Sequence, residues 1–206
     1  MGLSEGPIGV LSAVDELGPA LAGAFEEAQL VVRSASTDDD VLALDDWVAG
    51  LSVVVVTAPW YAVEGRLWEL RRLFEGRVVV SAATGVSFDA EGYLVPPGPS
   101  VAERLAEALP GSAVVGAFQL LGKRHVMAAL DGDWHSDVPL TGDDPAAVDL
   151  VAELVETIPG LVAVPAGALR QTAAIEGFVA VLRQVEDDRS RPLGVRLGQS
   201  GLSIAN

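Results

Sequence analysis

Four consecutive valines, Val53 to Val56, stand between Ser52 and Thr57 with no polar residue among them. A strand wetted on one face alternates polar and apolar side chains, whereas an unbroken run suits a strand covered on both faces, at the centre of a parallel sheet. Shorter apolar runs flank it. Ile8 to Leu11, Gln29 to Arg33, Arg77 to Ser81, Ala113 to Ala117 and Leu161 to Val164 read as strands, and Val138 to Leu140 as a short extended piece. Helix-period segments fall between them: Glu16 to Ala28, Asp39 to Val48, Val63 to Phe74, Ser100 to Leu109 and Ala168 to Val185. Another helix is opened by Asp144 and Pro145, a cap followed by proline at the first helical position, and runs to Ile158. The Gly/Pro-rich stretch up to Pro99 reads as loop or hairpin, and Leu193 to Leu197 as a possible edge strand. This β-α alternation predicts an α/β fold: a Rossmann-like, doubly wound parallel sheet with a small C-terminal helical part.

The length of 206 residues fits a single domain over 1–206, with a core over 1–140 and a helical elaboration and tail over 141–206. The longest uncharged runs, Trp47 to Val63 and Ala108 to Gly122, fall short of the roughly 20 apolar residues of a membrane-spanning helix. No basic segment precedes an apolar stretch at the N-terminus, so a cytoplasmic protein is expected. The absence of cysteine excludes disulfides, thiolate metal sites and cysteine nucleophiles. A formal net charge of −16 repels nucleic-acid phosphates and anionic lipid, and neither partner class is expected. High-salt adaptation and an acidic proteome both account for that charge. The acids Asp38, Asp39, Asp40, Asp45 and Asp46 match no calcium loop and read as a solvated, capped helix start. His125 and His135 are too few for a metal site.

The first strand leads into its helix through Ser12-Ala13-Val14-Asp15-Glu16-Leu17-Gly18. A G-x-G-x-x-G turn in this setting cradles a pyrophosphate on bare backbone and a helix N-terminus. Ala13 and Asp15 stand at its first two glycine positions, and only Gly18 matches. Asp15 brings bulk and negative charge where the ligand's own charge belongs. The preferred reading is that Asp15 caps the helix and the turn holds no ligand.

An ordered set of segments resembles the F420-dependent NADP oxidoreductase family, also called NADPH:F420 reductases. The set comprises Val53 to Trp60, Val78 to Ser81, Ser100 to Leu109, Val114 to Phe118, Asp137 to Pro139 and Gly142 to Asp144. It continues with Ile158 to Leu161, Ala166-Gly167, Ile175 to Gly177 and Leu193 to Arg196. The resemblance implies a Rossmann domain in which NADPH lies along the strand edges. A deazaflavin, F420, stacks on its nicotinamide for direct hydride transfer, so the protein supplies orientation and no catalytic side chain is required. It also implies cofactor-binding positions at Ser12, Ala13 and Gly18 in the turn, at Ser34 after the second strand, and at Thr57, Pro59 and Trp60 after the central one. Gln119 aligns with a family histidine, Arg170 lies one helical turn from an arginine position that falls on Ala173, and Leu193 opens the closing segment.

The family's Gly-Gly-Thr-Gly turn is replaced here, and its Ser-Arg pair for the 2′-phosphate of NADP becomes Ser34-Ala35. Trp60 has two readings, a cofactor-pocket wall or a helix-opening residue packed on the core. Lys123-Arg124-His125 reads as a solvated loop, with receipt of a phosphate or polyglutamate tail as the alternative. A homodimer is expected. The function expected is F420/NADP oxidoreductase-like hydride transfer. Two alternatives stand beside it: a non-catalytic relative acting as a dimeric partner or scaffold, and a Rossmann protein binding a non-dinucleotide metabolite through Ser12, Ser34, Thr57 and Gln119.

Overall fold

The computed structural model describes residue 3 and residues 6–132, 134–189 and 192–197. Seven strands form one mostly parallel sheet in the order β2-β1-β3-β4-β7-β8-β9. Here β1 is Ile8–Ser12, β2 Val32–Ser36, β3 Val53–Val56, β4 Val78–Ser81, β7 Ala113–Gly116, β8 Ser136–Gly142 and β9 Leu161–Pro165. Only β8 runs antiparallel to its neighbour β7, and β9 lies parallel to β8. A separate antiparallel hairpin pairs β5 (Ser87–Asp89) with β6 (Gly92–Leu94), which resolves the Gly/Pro-rich stretch as a hairpin. The doubly wound α/β fold is as expected.

The valine run explains itself once both faces are seen. Val53 and Val55 pack with Leu21 and Phe25 of α1 (Leu17–Glu27), Val126 of α6 (Lys123–Leu130) and Val151 of α7 (Pro145–Glu156). Val54 and Val56 face the other way, against Leu44 and Trp47 of α2 (Val41–Val48), Leu70 of α4 (Leu67–Leu73) and Leu105 of α5 (Val101–Ala108). Both faces are dry, so no position in β3 tolerates a polar residue. Burying each valine side chain contributes roughly 1.5–3 kcal/mol.

Caps fall where the sequence places them. Asp40 accepts from Ala43 N–H at 2.8 Å and opens α2; Asp144 accepts from Ala146 and Ala147 ahead of Pro145; Ser100 and Glu103 form a reciprocal capping box on α5. Among the described residues no group of three or more His, Asp or Glu could hold a metal ion. Among the described residues no helix is long and apolar enough to cross a membrane.

Four sequence-based expectations are corrected. The second strand is Val32–Ser36 rather than Gln29 to Arg33, because α1 closes through Gln29 at φ 67° before the chain turns into the sheet. The helix expected from Val63 to Phe74 is two, α3 (Trp60–Glu64) and α4, separated at Gly65 and Arg66. Lys123 to His125 is not a loop but the first turn of α6. Residues 193–197 adopt no strand, although Val195 O accepts from Asp137 N–H at 2.7 Å beside β8. The long C-terminal helix α8 covers Thr172–Arg189, preceded by a 3-10 turn at Leu169–Gln171.

Candidate functional site

β1 lies between β2 and β3, so the chain leaves β1 in one direction and returns to its other side for β3. At such a switch point the loops part and open a crevice beyond the carboxyl ends of the strands. A cavity of about 330 Å³ and a broader groove of about 1030 Å³ occupy this region. They share Pro59, Thr84 and Val86, which follow β3 and β4. The cavity lies between Trp60, Pro96, Val101 and Glu176; the groove extends over Asp15, Thr57, Lys123 and Arg183.

The turn after β1 is closed on itself. Asp15 Oδ1 accepts from Gly18 N–H at 2.7 Å, and Oδ2 accepts from Ala13 N–H at 3.0 Å and from the Thr57 hydroxyl at 3.2 Å. Capping by Asp15, the preferred sequence reading, is what the geometry contains. Gly18 is required by space: a Cβ there would stand 2.6 Å from Thr57 Oγ1 and 2.7 Å from Ser12 Cβ. At the end of β2, Ser36 N–H donates to Asp39 Oδ2 at 2.8 Å. Arg66 donates to the Thr37 and Asp39 carbonyls and pairs with Glu69.

The cavity has a similar seal. Buried Glu176, on α8, accepts from Val101 N–H at 2.9 Å through one oxygen and from Gly85 N–H at 3.2 Å through the other. Burial pushes its carboxyl above the ordinary range, against the lowering effect of the Gly85, Val101 and Ala102 N–H groups and Arg104. Arg104 lies 5.5 Å above the Trp60 ring and donates to Pro99 O. Trp60 thus opens α3 and lines the cavity.

Below the groove, α6 and α8 are joined by buried His125 and Glu186 at 2.5 Å. His125 Nδ1 accepts from Gly122 N–H at 2.9 Å, which leaves Nε2 as the protonated nitrogen facing Glu186. Burial holds the imidazole below its ordinary value, outweighing Glu186, so the ring is neutral near pH 7. Glu186 also receives Arg124, Arg183 and Leu193 N–H. Burial pushes Glu186 up, but the Leu193 N–H, His125 and Arg183 bring it below the ordinary glutamate value.

Of the cofactor-binding positions expected from the sequence, Ser12, Ala13, Gly18 and Thr57 converge on the closed turn, and Pro59 and Trp60 line the cavity. Ser34 is exposed in the middle of β2 rather than beyond its end. Gln119 is buried, with its amide donating to Ser81 O at 2.9 Å. Arg170 is exposed on the 3-10 turn, and Leu193 caps Glu186 through its backbone. None of these last four lines the cavity or the groove. Sequence reasoning missed Glu176 and Arg104 as cavity residues. For Glu176 the signals were a lone carboxylate inside the apolar run Ile175 to Leu182 and its place in the resembling segment Ile175 to Gly177.

No family model matches the chain. The F420-dependent NADP reductase of Methanocaldococcus jannaschii is 27% identical over 181 residues, covering 84% of this chain and 81% of that protein. The chain resembles the F420-dependent NADP reductases. A second such reductase, from Methanothermobacter marburgensis, is 27% identical over 184 residues, covering 84% of this chain and 82% of the relative. In fold, the chain superposes on the crystal structure of a candidate F420-dependent NADP-reductase from Arthrobacter sp. FB24. The TM-score is 0.80 at 18% identity, with 93% of this chain and 99% of the other covered.

Proposed function

We propose that this chain is an F420/NADP oxidoreductase-like protein whose cavity beside Trp60 takes the flat ring of a redox cofactor. One observation carries the reading: the cavity sits beyond the carboxyl ends of β3 and β4, beside the switch point, with Pro59, Trp60, Pro96 and Val101 as apolar walls. The names of the two archaeal relatives support a deazaflavin as that ring and NADPH as its redox partner. The comparisons lend no support to a dimeric partner or scaffold role.

NADP does not fit the turn after β1 in the usual way. The N–H groups of Ala13 and Gly18, which would receive its pyrophosphate, already hold a carboxylate. At the end of β2, where a 2′-phosphate would need a free cation, Arg66 is committed to two carbonyls and Glu69. The chain's own contribution is therefore placement of a ring against Pro59 and Trp60, with water excluded by Val101 and Pro96. Titration with F420 and with NADPH, read by tryptophan fluorescence, tests the assignment. F420 is expected to bind and NADPH to bind weakly, with NADPH tightened in an Ala13→Gly/Asp15→Gly variant. Failure of both cofactors to bind below millimolar concentration would sink the reading.

A further inference from the structure

The outer face of α8 is apolar along most of its length. A helix on the surface of a globular fold turns a polar stripe toward water, and one that is apolar all round belongs in an interior. From Ala174 to Val185 the only charged residues are Glu176 and Arg183, and both are turned inward. Glu176 takes the Gly85 and Val101 N–H groups, and Arg183 reaches Glu186 and Leu121 O. The spacing 174, 178, 181, 185 follows the helix period, so Ala174, Phe178, Val181 and Val185 share one face. Phe178 is 43% exposed on it and Val181 56%.

The hairpin widens this face. A Cβ at Gly177 would stand 3.9 Å from Val95 Cγ1, so the chain leaving β6 lies against the helix, and Leu94 and Val95 are exposed there too. Contiguous exposed apolar surface of this kind marks an interface. At one edge it runs into the cavity, whose walls Val95 and Ala173 are exposed with it.

Charge decides what can cover it. At a net −16, two copies of the chain repel wherever their acids meet, and they approach most closely through a face that has none. The face is also its own complement. An antiparallel pairing of two α8 helices about Phe178 sets Ala174 against Leu182 of the second copy, small against large. It also brings exposed Arg170 to the level of the second copy's acidic helix end at exposed Asp187. We infer that the outer face of α8, extended by Leu94 and Val95, is the contact between two copies of this chain, related by a two-fold axis near Phe178 and beside the mouth of the cavity.

Sedimentation velocity on the full chain reads the assembly. A dimer is expected at micromolar concentration. Phe178→Glu combined with Val181→Glu should weaken it at least about 100-fold, because each substitution enters a two-fold contact twice. Both side chains are exposed in the single chain, so the variant should keep the parent's circular dichroism. The absence of cysteine supplies a second measurement that does not depend on that variant. Phe178→Cys should give a covalent dimer on air oxidation, since the axis brings this position within disulfide reach of itself, whereas Trp68→Cys, exposed on α4, should not. A monomeric parent overturns the inference. So does a dimer that survives the paired glutamates, or one that Phe178→Cys links no better than Trp68→Cys.

Discussion

The Asp15 carboxylate behaves as an internal stand-in for a bound anion, and Asp15→Ala turns that statement into a measurement. The substitution removes three contacts, to Gly18 N–H at 2.7 Å, Ala13 N–H at 3.0 Å and the Thr57 hydroxyl at 3.2 Å. Loss of a capping carboxylate costs about 0.5–2 kcal/mol, and the extra contacts favour the upper half of that range, about 1–2 kcal/mol. For a domain of this size each kcal/mol moves the melting temperature by roughly 2–4 °C, so a drop of about 2–8 °C is expected. The vacated donors should then accept an external anion. Pyrophosphate at about 100 times its dissociation constant would return about 2.7 kcal/mol to the variant. The parent, with its seat filled, should show no comparable gain. Thermal unfolding followed by circular dichroism, with and without pyrophosphate, reads both effects. If the variant melts with the parent, or pyrophosphate raises both equally, Asp15 is not holding an anion seat.

Two further outcomes follow from the site. Gly18→Ala would place a methyl 2.6 Å from Thr57 Oγ1 and 2.7 Å from Ser12 Cβ, and should cost about 1–3 kcal/mol in urea unfolding; a neutral result would mean that α1 can slide away from the sheet. Acid should destabilise the fold through His125: its folded pKa lies below the ordinary 6.5, so as pH falls through 6.5 the unfolded chain gains a proton that the native chain refuses. Glu186, lowered from 4.5, adds a loss of the same sign at more acid pH. Urea midpoints from pH 7.5 to 5 should therefore fall in the parent and flatten in His125→Gln, and parallel profiles would refute the assignment.

How much of this was legible in the sequence depends on how local the cause is. The β3 run announces itself because every residue in it is buried, whichever way it faces. The Asp15 cap is legible from its three-residue spacing to Gly18. The start of β2 is displaced by three residues because Leu30, Val31 and Val32 look like a strand. Val31 is in fact exposed, and β2 is an edge strand whose Arg33 and Ser34 are both exposed. The first turn of α6 hides behind Lys123 and Arg124, charges that oppose the dipole at a helix start. Its anchor, Glu186, lies 61 residues from His125, and no local pattern could reveal that pairing. Glu176 is similar: its partners Gly85 and Val101 sit 91 and 75 residues away.

Glu186 receives His125 and Arg124 from α6, Arg183 from its own helix, and Leu193 N–H from the segment after it. Separating any of these pieces leaves a desolvated carboxylate short of a donor, which is expensive in a dry interior. The cost of the first opening is therefore charged once, and the rest follows with little more. The groove's far wall is in this sense built as a single unit, and α6, the end of α8 and residues 192–197 are expected to exchange their amide protons together.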